Sequence, residues 1–182
     1  VTIAPFFTAL LAGWFLNAEK PRPQFYVGFA AAIGGIALIS YNGGSTLQIN
    51  PVGDLLAVLA SITWAVYSIL TRKISQLGYN TIQTTPRTFM YGLLFMAPML
   101  FFMDFQLGAE RYADPVNLGN LLFLGIGASA LCFVSWNLAV KYLGAVKTSV
   151  YIYLVPVVTL AASVIILKEP VTPALIIGAA LT

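Results

Sequence analysis

Long runs without a charged residue constrain this chain more than any other feature. Such runs cover residues 23–53, 55–71, 88–103, 115–140 and 148–167. Crossing the hydrocarbon core of a bilayer takes about 20 apolar residues as a helix, and a backbone in lipid must satisfy its own hydrogen bonds. The runs do not alternate between polar and apolar residues, as the strands of a β-barrel do. Each run is therefore predicted to be a transmembrane helix.

The composition agrees with this interpretation. Hydrophobic residues make up 59% of the chain and charged residues 8%, whereas soluble domains carry roughly 25% charged residues. So few charges could not cover a surface that faces water, and the mean hydropathy is +0.89. The predicted fold class is all-α, a multi-pass transmembrane helix bundle.

The pattern predicts five complete spans and two incomplete ones. The complete spans are 25–40, 55–71, 88–103, 118–140 and 148–167, and the incomplete segments are 1–16 and 173–182. The last segment would be only about 15 Å long as a helix, half of what a bilayer needs. We therefore expect a fragment of a larger bundle, truncated at both ends.

Lysine and arginine are distributed unequally between alternate loops. One set of loops holds seven of these residues and the other set holds Arg111 and Lys168. The seven are Lys20, Arg22, Arg72, Lys73, Arg87, Lys141 and Lys147. Basic loops stay on the cytoplasmic side of a membrane, so the first set is predicted to be cytoplasmic.

The chain also resembles itself at a distance of 150 residues. Four residues recur at this distance: Glu19, Pro23, Gly28 and Ala30 match Glu169, Pro173, Gly178 and Ala180. Three more recur with a one-residue slip: Pro5, Thr8 and Leu16 match Pro156, Thr159 and Leu167. The copies lie five helices apart, an odd number, so they would face opposite ways across the membrane. Inverted repeats of this kind are typical of secondary transporters. The alternative is coincidence among similar apolar strings.

Several short motifs resemble a known family in their order and spacing. Gly53-Asp54-Leu55-Leu56-Ala57, the run 61–67 and Thr71-Arg72-Lys73 resemble the opening helix of an EamA-type repeat. The segments Ser135-Trp136-Asn137-Leu138-Ala139, Leu143-Gly144-Ala145, Leu154-Val155-Pro156-Val157 and Lys168-Glu169-Pro170 resemble its closing three helices. The family is the drug/metabolite transporter superfamily, EamA-like branch.

The resemblance implies two five-helix repeats in inverted orientation. Residues 1–41 would be the last two helices of the first repeat, 42–52 an extracytoplasmic linker, and 53–182 the second repeat with its last helix truncated. Three amino-terminal helices of the same protein would be missing. The resemblance also implies transport of small metabolites, often the export of amino acids or related compounds, in a bacterial inner membrane.

Five residues are candidates for a substrate site between membrane helices: Trp64, Tyr67, Trp136, Asn137 and Tyr153. Aromatic faces could form the apolar walls of a pocket, and Trp64 lies away from the interfacial belt where tryptophan is common. An amide in hydrocarbon needs a partner, so Asn137 could bind substrate or pin a neighbouring helix. Ordinary packing or lipid contact is the alternative for each aromatic residue.

Two prolines are predicted to loosen their helices. Pro156 has no N–H and clashes with the carbonyl of Ile152, which should kink that turn. A broken helix can expose backbone carbonyls to a cavity, although a kink that neighbouring groups re-satisfy is equally consistent with the pattern. Pro5 occupies the matching place in the earlier copy.

Residue types argue against an enzyme. The chain has no histidine and one cysteine, Cys132, so the commonest metal ligand and general base are missing. We expect no cofactor, no metal site and no nucleic-acid partner. The expected partners are the lipid bilayer, a small-molecule substrate and the remaining helices of the same protein, and a homodimer is left open. A non-transporting scaffold or assembly subunit and, less favoured, a membrane-embedded enzyme are the alternatives.

Overall fold

The computed structural model describes residues 2–16, 19, 21–42, 50–102, 112–168 and 171–182, and within those ranges the chain is helical without a strand. The principal helices are α1 (Ala4–Phe15), α2 (Pro23–Asn42), α3 (Pro51–Gln76), α4 (Thr81–Met96), α5 (Pro115–Leu143), α6 (Ala145–Leu167) and α7 (Pro173–Leu181). Most of the expected linker at 42–52, the end of the expected span at Met103 and the repeated Glu169 lie outside the described residues.

The all-α membrane helix bundle is confirmed. Among the described residues four helices are long and apolar enough to cross a bilayer: Pro23–Ser40 within α2, then α3, α5 and α6. The expected span 88–103 is not one of them, because α4 ends at Met96 and continues as a 3₁₀ turn over Ala97–Phe101. Pro98 lies in the first turn of that segment and has no N–H to continue the α-helical bonding.

Helix α4 begins earlier than the charge pattern predicts. The Asn80 side chain accepts a hydrogen bond from the Ile82 N–H at 3.0 Å, which caps the helix before Thr81. Pro86 and Arg87 lie inside the helix, so the predicted start of this span at residue 88 was wrong. A capping asparagine satisfies amides that lack an intrahelical partner, and it determines the start here more strongly than the proline does.

Helices α5 and α6 depart locally from α-helical bonding. Residues Phe123–Leu131 of α5 and Ser163–Leu167 of α6 have π-type bonding, and Tyr151–Tyr153 form a 3₁₀ turn. The 3₁₀ turn directly precedes the turn that contains Pro156. Pro5, by contrast, lies in the first turn of α1, where a missing N–H costs nothing.

The chain divides into two compact units. Unit 1 comprises Val1–Leu70 and Leu143–Thr182, and unit 2 comprises Thr71–Tyr142. Within unit 1, α2 packs against α7 where Gly35 and Gly178 bring the two backbones together. A Cβ on Gly35 would lie 2.5 Å from the Gly178 carbonyl oxygen. Small residues of this kind let membrane helices approach closely.

The start of α6 is capped from a distant part of unit 1. The Glu19 carboxylate accepts hydrogen bonds from the backbone N–H groups of Ala145, at 2.8 Å, and Val146, at 3.5 Å. Gly144 precedes them with a φ of +93°, and a Cβ there would lie 2.7 Å from a carboxylate oxygen of Glu19. Glycine therefore meets two requirements at this position, a left-handed backbone and space for the carboxylate.

Within unit 2, Arg72 satisfies the end of α5. Its guanidinium donates to the carbonyl oxygen of Val140 at 3.3 Å and to that of Lys141. The last carbonyls of a helix have no intrahelical partner and carry partial negative charge, so a guanidinium there is stabilising. This contact fixes the end of α3 beside the end of α5.

Candidate functional site

Trp64 and Tyr67 form an aromatic pair on α3. Their ring centroids lie 5.7 Å apart, tilted by 36°. The three-residue spacing places both rings on the same side of the helix. The buried residues Ser61, Ala65 and Ser68 lie among them in the sequence, and the serine hydroxyls donate back to the carbonyls of Ala57 and Trp64. The two serines thus satisfy their own hydroxyl groups, and both aromatic side chains are half-buried.

Tyr153 is a buried polar aromatic residue of unit 1. Its side chain is 5% exposed, and its hydroxyl has no hydrogen-bond partner among the described residues. A tyrosine hydroxyl normally finds a partner when it is buried. Tyr153 is the last residue of the local 3₁₀ turn of α6 described above.

Asn137 joins two helices of unit 2. Its side-chain N–H donates to the Thr85 hydroxyl oxygen at 2.9 Å, and the Thr85 hydroxyl donates in turn to the Thr81 carbonyl oxygen at 2.8 Å. Asn137 and Thr85 are each 4% exposed. This chain of hydrogen bonds connects α5 to α4, which is the helix-pinning role that the sequence left open for Asn137. Trp136, the neighbouring residue, is half-buried.

The five candidate residues are divided between the two units. Trp64, Tyr67 and Tyr153 belong to unit 1, whereas Trp136 and Asn137 belong to unit 2. Within unit 1, Trp64 and Tyr67 are in direct ring contact. That all five line a single substrate site stays a prediction.

Six of the eight residues that line a small cleft of unit 2 carry a hydroxyl group. Its volume is about 20 Å³, and the buried Thr81, Thr85 and Asn137 contribute to its wall. The full lining is Thr71, Ile74, Ser75, Thr81, Thr84, Thr85, Thr88 and Asn137. The Thr81 hydroxyl has no hydrogen-bond partner among the described residues. We call this space the hydroxyl cleft.

A larger apolar cleft lies between α4 and α5 of unit 2. Its volume is about 250 Å³, and Thr85 lines it as well as the hydroxyl cleft. The full lining is Thr85, Pro86, Phe89, Met90, Leu93, Gly125, Ser129, Ala130 and Val134. Gly125, Ser129 and Ala130 fall in the π-bonded part of α5, so small side chains leave this space open. We call it the apolar cleft.

Apart from Asn137, the residues that line these two clefts were not among the candidates from the sequence. The signal was present, because Thr81, Thr84, Thr85 and Thr88 recur at three- and four-residue spacing and therefore share a face of α4. The charge pattern put the start of this helix at residue 88, which placed Thr81 and Thr85 in a loop. A hydroxyl stripe that begins directly after a capping asparagine would have been the better indicator.

Metal-binding chemistry finds little support in the described part of the chain. No group of three or more His, Cys, Asp or Glu side chains comes together there. Cys132 is a free, exposed cysteine.

Comparison with known families gives one match over most of the chain. The profile described as "EamA-like transporter family" matches residues 51–182. This range includes α3 to α7 and therefore both clefts, the aromatic pair and Tyr153.

Similar proteins occur in several bacteria. The chain is 30% identical over 181 residues to a "Probable terminal-alkyne amino-acid exporter" of Streptantibioticus cattleyicolor, covering 100% of this chain and 59% of that protein. It is 29% identical over 180 residues to the uncharacterized transporter YyaM of Bacillus subtilis, covering 97% and 58%. It is 26% identical over 188 residues to a "Probable amino-acid metabolite efflux pump" of Salmonella typhimurium, covering 97% and 60%. The chain thus spans about three fifths of the length of these relatives.

Proposed function

Since the chain belongs to the EamA-like transporter family, we propose that the whole protein is a secondary transporter of small organic solutes. It works by alternating access, in which two inverted repeats rock around a central site. The chain is an integral membrane part of that transporter, and four helices among its described residues are long and apolar enough to span a bilayer.

The family match over residues 51–182 carries this proposal. The structure supports it with polar groups buried on membrane helices, which are costly in lipid and tend to mark solute or ion pathways. The Tyr153 hydroxyl is one such group, and the Asn137 and Thr85 side chains are two more.

Amino acids or closely related metabolites are the proposed substrates, and export is the proposed direction. Two of the relatives are named as an amino-acid exporter and an amino-acid metabolite efflux pump. Neutral hydroxyl, amide and aromatic groups supply the candidate contacts in both units, so specificity would come from hydrogen bonding and apolar fit. A charged side chain on the solute would find no partner in either cleft of unit 2.

The proposed location is a bacterial inner membrane, with the basic loops in the cytoplasm. Seven of the nine lysine and arginine residues lie in or near one alternate set of the connections between predicted spans, and basic segments of this kind resist translocation. Cleavage by an impermeant protease from one side of oriented vesicles, at sites placed near Lys73 and near Asp114, tests this orientation. Cleavage of both sites from the same side would contradict it.

Flux into proteoliposomes tests the transport function. The whole protein is reconstituted and offered a panel of labelled amino acids and other small metabolites, with protein-free liposomes as the control. The proposal predicts saturable flux of at least one solute. Absence of flux for the whole panel, from protein that keeps its cooperative melting transition, would favour the non-transporting scaffold subunit.

A further inference from the structure

The geometry points to a two-part solute site within unit 2: the hydroxyl cleft binds one amine or hydroxyl group, and the apolar cleft binds the apolar group of the same solute. This inference rests on the proposed transport function and adds to it a substrate class. The solute is a small molecule that joins an aliphatic or aromatic group to an amine or hydroxyl group. An amino acid with an apolar side chain has both of these groups, and its carboxylate would lie outside the hydroxyl cleft.

Size limits what the hydroxyl cleft can hold. Its volume of about 20 Å³ exceeds the roughly 10–15 Å³ that one water molecule needs. An amine or hydroxyl group has this size, whereas a carboxylate with its three heavy atoms does not fit completely. The hydroxyl cleft therefore suits one small polar group of the solute.

Thr81 supplies the chemical reason for a ligand in the hydroxyl cleft. Its side chain is 4% exposed, and its hydroxyl lacks a hydrogen-bond partner among the described residues. Burying a hydroxyl without a partner is costly, so native structures rarely keep one. The nearby Thr85 hydroxyl, by contrast, already accepts from Asn137 and donates to the Thr81 carbonyl oxygen. Thr81 is the hydroxyl that can donate to, or accept from, an incoming group.

The apolar cleft explains how the rest of the solute is held. Thr85 lines both clefts, so one molecule can place its polar group on one side of this residue and its apolar group on the other. Phe89, Leu93 and Val134 provide apolar walls, and no residue that lines either cleft carries a charge. A volume of about 250 Å³ approaches the lower end of ordinary ligand pockets, about 300 Å³.

Leucine and 4-methylpentanoate are the probes for the polar half of the site, because they share a carbon skeleton and only leucine has the amine. The whole protein is reconstituted, and the KM for labelled leucine and its inhibition by unlabelled 4-methylpentanoate are measured. Thr81→Val removes the hydroxyl at nearly constant shape. We expect the KM for leucine to rise about three- to tenfold, the value of one hydrogen bond. Inhibition by 4-methylpentanoate should stay within a factor of two.

Two control variants distinguish a loss of solute binding from a change in the protein's structure. Thr81→Ser keeps the hydroxyl and should restore the KM, whereas Thr63→Val makes the same change at an exposed position of α3 and should leave it unchanged. If Thr81→Val weakened inhibition by 4-methylpentanoate by the same factor as it raised the KM for leucine, Thr81 would only hold a structural water or the helix. That result would overturn the inference. A Thr81→Val protein with the same KM for leucine as the unaltered protein would also overturn the inference.

Ala130→Leu tests the apolar half, because the larger side chain fills the apolar cleft. Flux of leucine and phenylalanine should fall at least about fivefold relative to flux of alanine, since each buried CH₂ contributes about 0.8 kcal/mol. Unchanged selectivity would mean that a lipid chain, not the solute, occupies this cleft. Wild-type protein that transports only solutes with charged side chains would overturn the inference and leave the transport function standing, whereas absence of all flux would overturn both.

Discussion

The Glu19 carboxylate accepts a hydrogen bond from the Ala145 backbone N–H at 2.8 Å, although 126 residues separate the two in the sequence. Glu19 follows α1, and Ala145 is the first residue of α6. The first N–H groups of a helix have no intrahelical partner and carry partial positive charge. A carboxylate at this point both satisfies them and ties α1 to α6 within unit 1.

Replacing Glu19 with alanine should therefore lower the free energy of unfolding by about 1–2 kcal/mol, the usual cost of losing a helix cap. Thermal unfolding of the whole protein in detergent measures this. Asp54→Ala is the control, because that carboxylate is exposed at the start of α3. Equal melting temperatures for the two variants would show that the cap contributes nothing specific.

The contact between α2 and α7 predicts a difference between two identical substitutions. Gly35→Ala places a methyl group 2.5 Å from the Gly178 carbonyl oxygen, while Gly28→Ala meets nothing within 4 Å. We expect Gly35→Ala to destabilise by about 1–3 kcal/mol, as overpacking does, and Gly28→Ala to be neutral or stabilising by up to about 1 kcal/mol. Melting temperatures that rank the other way would contradict the close approach of these helices.

The Asn137–Thr85 hydrogen bond predicts energetic coupling. Each of Asn137→Ala and Thr85→Val should destabilise by about 1–3 kcal/mol, because each leaves a buried polar group of its partner without this bond. The double variant should lose less than the sum of the two, by about 1 kcal/mol. A double-mutant cycle on unfolding in detergent measures the coupling, and strict additivity would show that the pair does not hold α4 and α5 together.

The five candidate residues of the substrate site predict a loss of flux. Trp64→Ala and Tyr67→Ala each remove one ring of the aromatic pair. We expect the flux to fall about tenfold or more in each variant, because a solute in this site would lose a buried aromatic contact. The same test applies to Trp136, Asn137 and Tyr153. Trp14→Ala is the matched control, because Trp14 is 77% exposed. Unchanged flux in all five variants would remove them from the site.

Much of the bundle could be predicted from sequence because spanning helices depend on local properties. Uncharged runs of sufficient length specify α2, α3, α5 and α6, since the backbone in lipid has few alternatives to a helix. The predicted start of α4 was wrong, because the charge of Arg87 indicated that the helix begins at residue 88, whereas it begins at Thr81. The helix start depends on the Asn80 side chain, and its end depends on Pro98.

The contacts that organise each unit were harder to predict, because they join residues far apart in the chain. Sequence indicated that Asn137 needed a partner but could not select Thr85, which lies 52 residues away. Gly144 was quoted only as part of a motif, whereas its positive φ and the nearby Glu19 carboxylate explain why it is glycine. Inverted repetition and the division at residues 42–52 stay predictions.

Counterflow in proteoliposomes tests the central claim most directly. Vesicles that contain the whole protein are loaded with excess unlabelled leucine and diluted into a trace of labelled leucine. An alternating-access transporter exchanges one for the other, so label should accumulate transiently above its equilibrium level, and Thr81→Val should require a higher concentration for the same effect. Label that only equilibrates, or that enters no faster than into protein-free vesicles, would contradict transport of this solute by alternating access.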